Sequence, residues 1–224
     1  MMISINIFNN IKDSGENEEL SVFSTKETKN INNYEEDLET YMLINEESPT
    51  GYRNIQIIND EVYSQTVRVK GETVTEVIKR EMFRAYVKEK KKRPNGIAHL
   101  MTLCKKEDMN KVVSILEKHF DYEYVQHQFD ILKIINAATD VRNARFNVKI
   151  ETVSSVSIKG TRVHDTNYYA QMLRSGQLTG VIISYDMPNQ TVTFRINVDG
   201  SIFLFNQLND YEIIDLIEDL LNII

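Results

Sequence analysis

From Thr191 to Val198 the chain reads Thr-Val-Thr-Phe-Arg-Ile-Asn-Val, apolar at every second position. Strand side chains change face at each step, so this pattern predicts a strand with Val192, Phe194, Ile196 and Val198 on one side. Thr191, Thr193, Arg195 and Asn197 then share the other. One side is core and the other is wet, and the apolar side needs a covering layer. Helices before and after the sheet would supply it, the later one being the acidic amphipathic helix Asn209–Ile224, while Leu178–Asp186 reads as a second apolar strand. Asp199-Gly200 marks the hairpin tip.

Upstream the organisation changes. Residues 9–40 are rich in Asn, Glu, Ser, Thr and Lys with few aromatics, a composition that predicts a mobile or loosely docked head. From Tyr41 the runs YMLI, NIQII and QTVRV read as short strands, broken at Pro49-Thr-Gly51. A helix is expected after Gly71, with Val74, Val77, Ile78 and Met82 at helical spacing. Phe83–Lys88 and Ile97–Cys104 pair as a predicted hairpin around KKKRPNG, followed by helical periodicity in Met109–Phe120 and in Tyr124–Ala138. Three segments are thus expected: an acidic extension over 1–40 and two domains over 41–140 and 141–224.

Charge follows the same partition. Residues 1–50 hold three Lys and no Arg against eleven acids, and Asp210, Glu212, Asp215, Glu218 and Asp219 leave the C-terminal segment without a base. Residues 51–205 carry 23 basic and 17 acidic groups, so a net charge of −7 conceals a basic middle. Such a body can meet phosphates while its ends meet water or a basic partner. The run Lys88, Lys90, Lys91, Lys92, Arg93 is similar both to a phosphate-contacting loop and to a nuclear-import signal.

The chemistry of catalysis is not apparent. His99, His119, His127 and His164 have no Cys or acidic partner at metal-ligand spacing, and Cys104 stands alone beside Lys105. No phosphate loop, nucleophile elbow or dinucleotide fingerprint occurs. The expectation is a protein that is not an enzyme and takes no cofactor and no metal. With no membrane-length apolar run, no signal-peptide pattern and a single cysteine, it is expected to be intracellular, in nucleus or cytoplasm.

One family matches the order of these segments. Phe146–Gly160, Leu178–Asp186, Thr191–Phe205 and Asn209–Ile224 read as two hairpins with a short helix between them and an acidic helix after them, which resembles one repeat of the TATA-box-binding protein family. Val67-Arg-Val-Lys-Gly71 recurs as Val156-Ser-Ile-Lys-Gly160, and the offset is about one family repeat. The resemblance implies an α+β fold: a curved antiparallel sheet, a saddle of tandem repeats, helices on its convex face and an acidic N-terminal extension. It implies promoter DNA binding and assembly of a transcription initiation complex, in a divergent lineage of the kind found in large DNA viruses. An AT-rich duplex would meet Lys149, Thr152, Leu178, Thr193, Arg195 and Asn197 on the concave face, with Lys90, Lys91, Lys92 and Arg93 on a flanking phosphate. Asp210, Glu212, Asp215, Glu218 and Asp219 would face an RNA polymerase or initiation-factor subunit. Where the family drives paired phenylalanines between base steps, this chain has Asn197 and Leu178, which implies weaker or less bent binding. Two further readings stay open: a protein-only adaptor on the same scaffold, and a small α+β protein of unrelated fold.

Overall fold

The computed structural model describes residues 4–12, 20–88 and 98–223. In chain order the strands are β1 Ser4–Asn10, β2 Phe23–Ile31, β3 Tyr34–Glu47, β4 Tyr52–Val69, β5 Glu72–Lys88, β6 Ala98–Cys104, β7 Tyr124–Gln126, β8 Asp140–Ile150, β9 Val153–Lys159, β10 Gly176–Met187, β11 Gln190–Asn197 and β12 Ile202–Leu204. The helices are α1 Met109–His119, α2 Ile131–Ala137, α3 Asn167–Ser175 and α4 Asp210–Asn222. The class is α+β with antiparallel sheets. Two compact units form, a hairpin unit over Asn10–Tyr124 and a split unit that joins Met1–Asn9 to Val125–Ile224. This division falls elsewhere than at residues 40 and 140.

In the hairpin unit the strand order is β2-β3-β4-β5-β6. Where helical spacing predicts a helix after Gly71, the chain forms β5, paired with β4 from Val69↔Glu72 to Tyr52↔Lys88. Lys70 and Gly71 carry φ of 50° and 92°, the pair of positive values a two-residue type I′ hairpin turn requires. Gly71 closes a hairpin and does not start a helix. The β-branched run Thr73, Val74, Thr75, Val77, Ile78 favours a pleated strand once β4 offers a partner.

Part of the expected mobile head forms strands. β2 and β3 pair from Ile31↔Tyr34 to Phe23↔Met42 around a second turn of this kind, with Asn32 and Asn33 at φ 49° and 69°. Ile31 and Leu38 are buried, and the Phe23 ring stacks on His119 of α1 with centroids 3.8 Å apart. A few apolar anchors suffice because the surrounding polar residues stay exposed on a two-stranded ribbon. α1 itself buries Val112 and Leu116, one turn apart, and carries Lys118 in its last turn, where a cation complements the helix dipole. β5 and β6 pair as expected, from Ala85↔Thr102 to Lys88↔His99.

In the split unit the order is β1-β12-β11-β10-β8-β9, with β7 on β1. The expected helix over Tyr124–Ala138 is reduced to α2, because Asp130 caps it by accepting from the Leu132 and Lys133 amides and so starts it late. The order β8, β9, α3, β10, β11, β12, α4 carries the two hairpins, the intervening helix and the final helix that the sequence predicts. The echo Val67–Gly71 and Val156–Gly160 does not hold structurally: a hairpin turn follows the first copy, whereas the second leads through a 3-10 turn at Val163–Asp165 into α3.

The split unit's core lies on one face of its sheet. Val192, Phe194 and Ile196 of β11 are completely buried, as are Phe146 of β8 and Ile183 of β10. α3 covers this face through Tyr169, whose ring meets Phe146 edge-on at 5.5 Å. α4 does so too, burying Ile213, Ile214, Leu216, Ile217, Leu220 and Leu221. Tyr185 stands opposite Val192 on that face, and its hydroxyl is pushed up by burial and by the nearby Asp219 carboxylate, which places α4 there. Val198 is the exception to the expected alternation: β11 ends at Asn197, and Val198 is exposed in the turn.

Candidate nucleic-acid interface

The opposite face of the split unit's sheet holds the polar residues. Cross-strand register sets them in rows. One row runs Arg195–Ile182–Asn143–Lys159 over β11, β10, β8 and β9. The next runs Asn197–Gly180–Arg145–Ser157. Asn147 and Ser155 continue the face towards the β8–β9 turn. Arg145, Lys159 and Arg195 are exposed, and none makes an ion pair among the described residues. At about 4.8 Å per strand interval, Arg195 and Lys159 stand roughly 14 Å apart.

The row centre is shaped by Gly180. A Cβ there would lie 2.5 Å from the Asn197 Oδ1, so the absent side chain lets the Asn197 amide lie across the sheet. That amide donates to the Ser201 hydroxyl at 2.9 Å, and Asn197 is half-buried. Thr193 is half-buried as well, with its hydroxyl 3.2 Å from that of Ser184. At the far end of the face Asp186 accepts from Thr191 at 2.6 Å, and hydrogen bonds from Thr191 and Thr139 hold its carboxyl below the usual range. The face is therefore cationic at one end and acidic at the other.

Of the residues expected on this face, Thr193, Arg195 and Asn197 lie together. Lys149 and Thr152 are exposed beside the β8–β9 turn, which Glu151 opens at φ 49°. Leu178 is not with them. It stands opposite Phe146, on the apolar face, because Thr179 is an extra residue in β10 between the Leu178 and Gly180 pairs and resets the alternation. A wedge beside Arg195 is thereby corrected to a half-buried residue on the helix-covered side. Lys90, Lys91, Lys92 and Arg93 lie outside the described residues.

Arg145, Asn147 and Lys159 are functional candidates that the reading of the last hairpin overlooks. For Arg145 and Asn147 the signal is in the sequence: Asn143-Ala-Arg-Phe-Asn-Val alternates as cleanly as β11 does.

On α4 the acids divide by role. Glu212 is committed to structure: one carboxylate oxygen accepts from the Asn209 amide at 2.8 Å, and the Asn209 side chain accepts from the Glu212 amide at 3.0 Å, a capping box. Its other oxygen accepts from the Gln190 side chain at 2.9 Å. A partner-facing role for Glu212 is corrected accordingly. Asp215 is exposed, and Asp210, Glu218 and Asp219 are half-exposed. Burial first, then the Asp215 and Glu218 charges, raise the Asp219 carboxyl above its ordinary value.

No group of three or more His, Cys, Asp or Glu that could hold a metal occurs among the described residues. The Cys104 thiol is pushed up to about 11, chiefly by burial, and is protonated at neutral pH. Among the described residues no helix is long and apolar enough to cross a membrane. Compared with protein-family models and with curated proteins, the chain matches none.

Proposed function

We propose that the split unit is a duplex-DNA-binding module of the TATA-box-binding type, and that it serves in assembling a transcription initiation complex. The observation that carries this reading is the polar sheet face with Arg145, Lys159 and Arg195 exposed and unpaired amid Asn, Ser and Thr. Cations roughly 14 Å apart on a rigid sheet suit phosphates across a groove about 6–12 Å wide. Asn and Thr between them offer donors to groove-edge acceptors. With Leu178 on the far side, this face still carries the half-buried Ile182 and Phe203, paired on either side of Arg195, so the reading is one of backbone contact in which the Phe203 ring would be the candidate wedge. The exposed Asp215 of α4 supports contact with a basic surface of a polymerase or initiation-factor subunit.

The test is a salt titration of binding to a short AT-rich duplex by fluorescence anisotropy. Affinity should fall steeply with salt as counterions are retained. Arg195→Ala should cost about 1–3 kcal/mol, and joint replacement of Arg145, Lys159 and Arg195 by Ala should reduce the log–log salt slope by roughly 2–3. Absence of binding at low salt overturns the reading. Unchanged binding by the triple variant removes this face from it and moves the contact to Lys90–Arg93.

A further inference from the structure

β9 is the outer strand of the split unit's sheet, and β8 is its strand partner. The Gly160 amide donates to the Arg142 carbonyl at 3.1 Å, which sets the parity of the ladder. Val156 and Ile158 turn their backbone groups towards β8, and Ser155, Ser157 and Lys159 turn theirs outward. Outer strands are usually guarded by charge, proline or a bulge. β2, the outer strand of the hairpin unit, is guarded by charge: it carries Lys26, Glu27 and Lys29, with Lys26 paired to Asp37 at 2.8 Å. From Val153 to Ile158, β9 has neither a charge nor a proline, and the register shift of its ladder with β8 is confined to the end between Val153 and Ser155. Val153 is 45% exposed.

We propose that β9 pairs antiparallel with β9 of a second copy of this chain, about a two-fold axis through Val156, so that the two split-unit sheets become one. Val156 then faces its own counterpart, Ser155 faces Ser157, and Val153 faces Lys159. This register overlaps the whole strand and matches the outward backbone groups of one copy to those of the other. It continues both faces. Val156 and Ile158 extend the apolar side, and the serines extend the side that carries Arg145 and Arg195. Lys159 of one protomer comes beside the Glu151 end of its partner, so opposite charges meet at both ends of the junction. The closed two-fold contact also removes an unguarded edge from each copy. The pairing does not depend on DNA binding and is tested without DNA.

Sedimentation velocity over a concentration series of the full chain should show a monomer–dimer equilibrium. Replacing the exposed pair, Ser155→Lys with Ser157→Lys, sets lysines directly opposite one another twice and should weaken the dimer roughly tenfold or more, with circular dichroism and Tm unchanged. Val156→Cys tests the register: on mild oxidation it should yield a covalent dimer, because the two thiols face each other on the axis. Ile158→Cys should not, because its counterpart is Ser154. The native Cys104 is buried and gives little background. A wild-type chain that sediments as a monomer throughout overturns the proposal. So does a folded double-lysine variant that dimerises as tightly as wild type, or an Ile158→Cys chain that cross-links as readily as Val156→Cys.

Discussion

Both units bury apolar residues completely, Ile55, Ile57, Leu100, Val112 and Leu116 in the hairpin unit, and they differ in what extends beyond that core. The split unit lays α3 and α4 over its apolar face and buries Phe146, Phe194, Leu216 and Ile217 without residual exposure. The hairpin unit instead sends β4 and β5 well beyond their neighbours: β3 pairs with β4 only as far as Asn59, and β6 with β5 only from Ala85. Between Asn59 and Met82 no apolar residue is buried. A two-stranded ribbon is marginal in water, and this one is held by polar contacts. Lys111 of α1 bonds to Glu61, to the Tyr63 hydroxyl at 2.8 Å and to Glu81 at 3.0 Å. Arg80 grips Asp60 through two contacts of 2.8 Å. The Asn32 side chain accepts from the Thr75 and Glu76 amides and donates to the Glu76 carbonyl. Apolar burial makes a unit insensitive to pH, whereas a polar clamp ties it to the ionisation of a few groups.

The sharpest test of this contrast is in the split unit's core. Phe194→Ala should destabilise that unit by about 3–5 kcal/mol through lost burial and a cavity, read as a lowered denaturation midpoint and as faster hydrogen exchange across β10 and β11. A loss under 1 kcal/mol would mean that the sheet face is not the core.

Next in size is the clamp. Lys111→Met leaves Glu61 and Glu81 without their cation and should cost about 1–2 kcal/mol, less than a fully buried pair because Lys111 is 30% exposed. Burial alone would raise the Glu81 carboxyl, but hydrogen bonds from Lys111, Tyr63 and Lys79 outweigh it and hold it below its ordinary 4.5. Its stabilisation is therefore full above pH 4.5 and is lost as pH falls through the lower native value. Urea midpoints against pH should fall in that range for the wild type, and Lys111→Met should flatten the fall. Parallel curves would remove the clamp.

Smaller again is the ribbon tip. Asn32→Ala removes three hydrogen bonds to the β5 backbone and places Ala at a positive φ, so about 0.5–1 kcal/mol of local stability should go. The readout is amide exchange at residues 72–78, with the split unit unaffected. Equal acceleration in both units would contradict a local latch. Least of all is Lys26→Ala: the Lys26–Asp37 pair is exposed on both sides, and no resolvable change in Tm is expected. A clear loss would mean that surface charge on β2 and β3 does more than guard an edge.

How far the sequence alone carried depends on the range of the forces involved. Alternation over Thr191–Asn197 determined that strand, its buried face and the exposure of Arg195, because strand periodicity is a local property of the backbone. The same was true of α1 and α4, whose apolar stripes lie within one or two turns. Three matters were decided only by tertiary contact. The 72–82 segment has helical spacing and β-branched composition together, and pairing with β4 settled it as β5, since a ladder partner outweighs a weak local preference. Average polarity predicts a mobile head, yet its strands carry buried Ile31 and Leu38 and the Phe23–His119 stack. Leu178 lost its expected face to a single extra residue in β10, which no periodicity can announce because a bulge is defined only against its partner strand. The candidate interface follows the same rule: each strand's polar face was legible in the residues, but only the register of β9, β8, β10 and β11 brought Arg145, Lys159 and Arg195 onto one surface.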